Sequence, residues 1–198
     1  MSERPLNVLF LCTHNSARSI LAEAILNHIG QGRFKAFSAG SSPRENQQPN
    51  PLALQVLQHA GISTEVLSST SWDEFGPPPA GTAPSEGSAL REVTSVGVVM
   101  DLVITVCDNA AGEVCPFWPG QPATAHWGYP DPSETQGSDA QKLEAFRQTM
   151  LALHRRLALL VSLPTEKLER TMLQSTAREL PHQASNQHPQ KEKNHGLV

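Results

Sequence analysis

The stretch "LNVLFLCTHNSARSILAEAILNHIG", residues 6–30, decides the fold. Leu6 to Leu11 is an apolar run of strand length, interrupted at Asn7, the pattern of a strand covered on both faces. From Ser19 to Ile29 the chain reads as a helix. Ile20, Leu21, Ala24, Ile25 and Ile29 recur at helical spacing, and Gly30 marks the end. A polar loop, Cys12 to Arg18, joins the two. Strand, loop and helix in that order open a parallel α/β fold.

The loop carries chemistry. Five residues separate Cys12 from Arg18. That spacing lets the backbone curl until its N–H groups converge on one point, an anion cradle sized for a tetrahedral oxyanion. Thr13, His14, Asn15, Ser16 and Ala17 form the curl, and Arg18 closes it with a planar bidentate fork. Asn15 suits a left-handed backbone. Ser16 and Ser19 are placed to donate to the sulfur. A thiol at a helix N-terminus beside a cation is expected to ionise below its ordinary value. The alternative is a small buried thiol with no role, the usual fate of a free cysteine. Its position after a buried strand and before a helix, with Ser19 following Arg18, favours the nucleophile. Attack on a tetrahedral anion needs an acid for the departing oxygen. Asp131 in "GYPDPSE" offers one, although Asp-Pro is also a common turn.

Outward from this unit, Phe34–Ser38 reads as a second strand. Asn50 caps a helix with Pro51 at its first position and Gly61 past its end. Ser71 and Glu74 carry a capping-box pattern for a short helix. Residues 76–97 are rich in Pro, Gly and Ser and read as an insertion loop, with a lid as the functional alternative. Val98–Val106 is the next apolar strand and also runs into a cysteine, Cys107. Residues 107–138 look irregular. Ser138 and Gln141 start a long helix, whose stripe of Leu143, Phe146, Met150, Leu153, Leu157 and Leu160 is expected on the sheet. A short helix is expected within 165–180. The tail 181–198 has little to bury and reads as disordered, and its histidines as solvated. One domain over residues 1–175 accounts for the rest.

Composition narrows the function. The chain has 198 residues and 38% hydrophobic content, enough for one core. A net charge of −4 gives no basic footprint for nucleic acid. No apolar run reaches the ~18 residues of a membrane span. No signal peptide is read at the N-terminus, so a cytoplasmic location is expected. Three cysteines, Cys12, Cys107 and Cys115, are an odd number for a disulfide framework. They leave buried thiols, metal ligands or redox chemistry.

"VLFLCTHNSARSILAEAIL" with a late "DP" resembles the low-molecular-weight tyrosine phosphatases. "VCDNAAGEVCPFWPGQPATAHWGYPDPS" resembles a branch of that family, the arsenate reductases of arsenical resistance. The resemblance covers about residues 5–75 and 99–175. It implies a three-layer αβα fold with a four-stranded parallel sheet. It implies Cys12 as nucleophile, Arg18 as oxyanion clamp, Asn15 and Ser19 as cradle supports and Asp131 as general acid. Cys107 and Cys115 match the redox cysteines of the relay. Arsenate would be the substrate, with phosphate or sulfate as competing anions. No cofactor is expected to be tightly bound; reducing equivalents would come from thioredoxin or from glutathione and glutaredoxin. Seven residues separate Cys107 from Cys115, a spacing that keeps the second route open. Glu23, Asn15 and Ser38 match parts of a potassium site in some relatives. Trp72 stands near the place of a carboxylate there, so no metal is expected.

Two rivals are distinct. A phosphotyrosine phosphatase would use Cys12, Arg18 and Asp131 without Cys107 or Cys115, but would be expected to rim its cleft with aromatics. Ser133 and Glu134 follow Asp131-Pro132, and Tyr129 is the single tyrosine. Against a non-catalytic oxyanion-binding module, intact Cys12, Arg18 and Asp131 argue that the site is not dead.

Overall fold

The computed structural model describes residues 4–76, 98–107 and 122–168. Most of the 76–97 insertion, Cys115, the "DNAAGE" segment, the end of the 165–180 helix and the tail 181–198 lie outside the described residues.

Strand β1 (Leu6–Cys12) leads through the loop into helix α1 (Arg18–Ile29). Strand β2 (Phe34–Gly40) follows, running two residues beyond its expected end. Helix α2 (Pro51–His59) starts as its sequence dictates: the Asn50 side chain accepts from the Leu52 N–H, and Pro51 fills the first turn. The Ser71 capping signal yields a single 3-10 turn, η1 (Trp72–Phe75), with Ser71 Oγ accepting from Asp73 N–H.

Strand β3 (Leu102–Thr105) is shorter than the apolar run suggests. Asp101 stops it. Its carboxylate accepts from the Asn7 N–H and from both Arg4 terminal nitrogens, and Val98 and Val99 stay outside the ladder. Strand β4 (Ala123–His126) lies inside the stretch read as irregular. Its Ala-Thr-Ala-His sequence has neither an apolar run nor bulky β-formers, so no periodic signal marks it. It forms because β3 offers a free edge, and the two pair in parallel from Leu102–Ala123 to Thr105–His126.

The sheet is parallel throughout, in the order β2-β1-β3-β4. The β1 side chains alternate between two cores. Leu6, Val8, Phe10 and Cys12 join the core that contains α1, α2 and the last long helix, α3 (Asp139–Ser162). Leu9 and Leu11 face the other way, toward Phe75, Met100 and Val103, with Trp72 packed alongside. Three layers result.

Helix α3 begins with the capping box its sequence carries, Ser138 and Gln141 each satisfying the other's backbone N–H. Phe146, Met150, Leu153 and Leu157 are buried. Each such burial contributes on the order of 1.5–3 kcal/mol. The stripe meets α1 and α2 first, and through them shares the sheet's core. Among the described residues no helix is long and apolar enough to cross a membrane.

Candidate active site

Parallel strands end on one edge, and the loops beyond that edge are where such sheets place their sites. Here the register brings β1 and β3 to that edge side by side. Leu11 lies opposite Thr105, and Val106 N–H donates to the Leu11 carbonyl. Cys12 and Cys107 thus leave adjacent strands together. Both are buried. Thr13 Oγ1 lies 3.7 Å from Cys107 Sγ, so the first residue of the cradle loop touches the second thiol.

The loop is braced from below. Asn15 adopts φ 51°, the left-handed conformation its residue type suits. Its N–H donates to Cys12 Sγ at 3.1 Å. Its side-chain amide donates to Ser19 Oγ at 2.9 Å and Ser38 Oγ at 2.8 Å, and its side-chain oxygen accepts from Thr70 N–H at 2.6 Å. Ser38 in turn donates to Glu23. Ser19 Oγ and Cys12 Sγ share a hydrogen bond at 2.9 Å. A continuous hydrogen-bonded chain therefore runs from half-buried Glu23 to the thiol. Ser69 donates to the Asn15 carbonyl, and Asn50 N–H to the Ser16 carbonyl.

The exit of β2 forms the loop's outer wall. Ser41 and Ser42 N–H donate to the carbonyls of Cys12 and Thr13, and His14 Nδ1 bonds the Ser42 carbonyl at 2.9 Å. Gly40 lies beneath. A Cβ there would meet Thr13 O at 2.8 Å and Asn15 N at 3.0 Å, so the loop's close approach demands glycine. Ala17 caps α1 without a side-chain bond to it, and no acidic residue occupies the first turn. The helix N–H groups there face the loop without an internal carboxylate or hydroxyl acceptor.

Two groups behave differently from their sequence reading. Burial pushes the Cys12 thiol up, above its usual range; hydrogen bonds with Ser19 and the Asn15 N–H pull it down, and neighbouring Cys107 raises it again. The expected lowering by Arg18 is not among these influences; its guanidinium is engaged elsewhere. Its Nη1 donates to the Tyr129 carbonyl at 2.8 Å and its Nη2 to Asp131 Oδ2 at 2.6 Å. Burial disfavours the thiolate more than the nearby donors favour it.

Asp131 reaches Arg18 because the chain after β4 folds back over β3. Trp127 and Tyr129 N–H donate to the carbonyls of Thr105 and Val106. Trp127 packs on Phe10 and lies under Arg156 of α3. Asp131 caps a short turn, η2 (Pro132–Glu134), so the Asp-Pro turn reading and the acid reading describe one residue. Its Oδ1 accepts from Ser133 N–H and Oγ.

The structure thus gathers Cys12, Thr13, His14, Asn15, Ser16, Ala17, Arg18 and Ser19 in one loop, with Cys107 and Asp131 against it. Cys115 is outside the described residues. Sequence reasoning missed Gly40, Ser69, Thr70, the Tyr129 carbonyl and Ser133. Only Ser133 had a local signal, the Asp-x-Ser spacing of a capped turn. Among the described residues no group of three or more His, Cys, Asp or Glu side chains is placed to hold a metal ion.

Comparison with known proteins places the chain in a family and a fold. The family model for low molecular weight phosphotyrosine protein phosphatase matches residues 7–75, the segment with the loop and its braces. An arsenate reductase of Bacillus licheniformis is 32% identical over 142 residues, covering 71% of this chain and 84% of the relative. One from Halalkalibacterium halodurans is 29% identical over 150 residues, covering 76% and 91%. Among solved structures, an arsenate reductase in its phosphate-binding state superposes with TM-score 0.56 at 24% identity, covering 79% of this chain and 97% of that one. A low molecular weight phosphotyrosine phosphatase from Vibrio cholerae gives 0.55 at 23%, covering 79% and 94%, so the two activities share this fold. With the loop, the second strand-end thiol and a relative above 30% identity, the chain belongs to the arsenate reductases built on the low molecular weight phosphotyrosine phosphatase fold.

Proposed function

We propose that this protein reduces arsenate to arsenite. The observation that carries the reading is the pairing of Cys12 and Cys107 at adjacent strand ends, linked through Thr13. A phosphatase has work for the first thiol only.

In this mechanism the cradle N–H groups and Arg18 bind arsenate, and phosphate or sulfate compete for the same place. Cys12 attacks arsenic as the thiolate, with Ser19 and the Asn15 N–H stabilising it. A sulfur–arsenic bond forms, one arsenic–oxygen bond breaks, and Asp131 supplies the proton with which that oxygen leaves as water. Cys107 then attacks Cys12 Sγ. A disulfide forms, the sulfur–arsenic bond breaks and its electron pair stays on arsenic, which leaves as arsenite. Two thiols are oxidised and arsenic gains two electrons. Cys115 then exchanges with this disulfide to give Cys107–Cys115. Thioredoxin, or glutathione with glutaredoxin, restores the thiols in the reducing cytoplasm.

The test is arsenite production with each reductant system supplied separately, together with a thiol count after arsenate alone. Wild type should lose two thiols for each arsenite formed without reductant. Cys107→Ser should bind arsenic on Cys12 and stop before repeated turnover. Multiple turnover in that variant would remove the relay. Phosphate-ester hydrolysis without arsenite would establish the phosphatase reading instead.

A further inference from the structure

The geometry points to Asp131 as an internal ligand of the anion site: its carboxylate holds one terminal nitrogen of the Arg18 fork an oxyanion needs, so anion binding is an exchange that displaces it. This rests on reading Arg18 as the oxyanion clamp.

Both terminal nitrogens of Arg18 are taken by one loop, Nη2 by Asp131 Oδ2 and Nη1 by the Tyr129 carbonyl. The other carboxylate oxygen of Asp131 is fixed by two donors from Ser133, at 2.9 and 2.6 Å. Three donors therefore converge on this carboxylate, the posture of an acceptor. A group that must hand a proton to a leaving oxygen has to turn away from that arrangement. The side chains of Arg18 and Asp131 are only 12% and 23% exposed, so water screens the pair less than it would a surface pair. An arriving oxyanion thus meets a guanidinium whose two terminal nitrogens are already engaged, one by the carboxylate and one by the Tyr129 carbonyl. It binds by taking over the fork, and the same event frees the acid and its loop. Loading of the arginine and release of Asp131 become one step, and the internal contact raises the threshold for every anion that enters.

Sulfate is a suitable probe because it does not titrate near neutral pH. Its affinity for the full-length reduced chain is measured by calorimetry, and amide exchange over residues 127–135 is followed with and without it. Asp131→Asn should bind sulfate about tenfold tighter, the scale of one charge-assisted hydrogen bond removed from the competitor. Ser133→Ala, which only loosens the carboxylate, should tighten binding about twofold to threefold. Glu134→Gln removes a neighbouring exposed charge without touching Arg18 and should stay within about twofold. Sulfate should speed exchange in 127–135 in wild type and leave it unchanged in Asp131→Asn. The exchange model is overturned if Asp131→Asn binds no tighter than wild type, if Glu134→Gln tightens binding as much, or if sulfate slows exchange in that loop. Loss of sulfate binding in Arg18→Ala alongside an unchanged Asp131→Asn would sink the exchange and keep the clamp. Sulfate binding indifferent to Arg18→Ala would sink both.

Discussion

Replacing Gly40 by alanine tests whether the cradle is held by close packing from beneath. The added Cβ would lie 2.8 Å from Thr13 O, 3.0 Å from Asn15 N and 3.0 Å from His14 C. All three are backbone atoms, so no side-chain rotation relieves the contact. The loop must lift by roughly half an ångström to reach ordinary van der Waals separation. It cannot slide along the sheet, because Gly40, Ser41 and Ser42 N–H are committed to the carbonyls of Thr70, Cys12 and Thr13. Overpacking of this kind costs about 1–3 kcal/mol of stability. The effect on turnover should be larger in proportion. A displacement near 1 Å of a positioned group costs on the order of a hundredfold in rate, so half of that implies roughly tenfold or more. Urea unfolding gives the first quantity, and arsenite production with saturating reductant the second. A Gly40→Ala protein with wild-type stability and turnover within about twofold of wild type would refute the reasoning.

Two further predictions concern the loop itself. The raised Cys12 thiol means that the folded protein keeps a proton the unfolded chain has already released. Its contribution to stability is complete below the unfolded thiol value of about 8.5 and is lost as pH rises through the higher folded value. Urea midpoints measured upward from pH 7.5 should therefore fall more steeply in wild type than in Cys12→Ala; parallel curves would contradict it. Asn15→Ala leaves the buried Thr70 N–H without its acceptor and puts alanine at φ 51°. A loss of about 2–4 kcal/mol is expected by urea unfolding, and a change under about 0.5 kcal/mol would show that the brace contributes little.

Much of the site was legible in residues 6–30 because its parts are local. The apolar run, the curl of small and polar residues, and the helical spacing after Arg18 are all set by near neighbours. Asn15 shows this at one residue: its type announced the left-handed backbone it adopts. The Asn50-Pro51 and Ser138-Gln141 helix starts were legible for the same reason, since a cap is a contact two or three residues long. Strand β4 was not. Its four residues carry no pattern of their own and become a strand only against β3. Nor was the late start of β3 at Leu102, just after Asp101, whose carboxylate meets Arg4, 97 positions away in sequence.

The sequence by itself determined a parallel α/β unit with a strand-end thiol, an anion-sized loop and an arginine behind it. Those follow from backbone geometry and side-chain spacing over a few residues. Only the tertiary structure decided what the thiol and the arginine meet. Cys12 is buried, Cys107 arrives on the neighbouring strand, and Arg18 is held by Asp131, 113 positions along the chain. Burial and ion pairing depend on what packs around a charge in space, and distance along the chain carries no record of that.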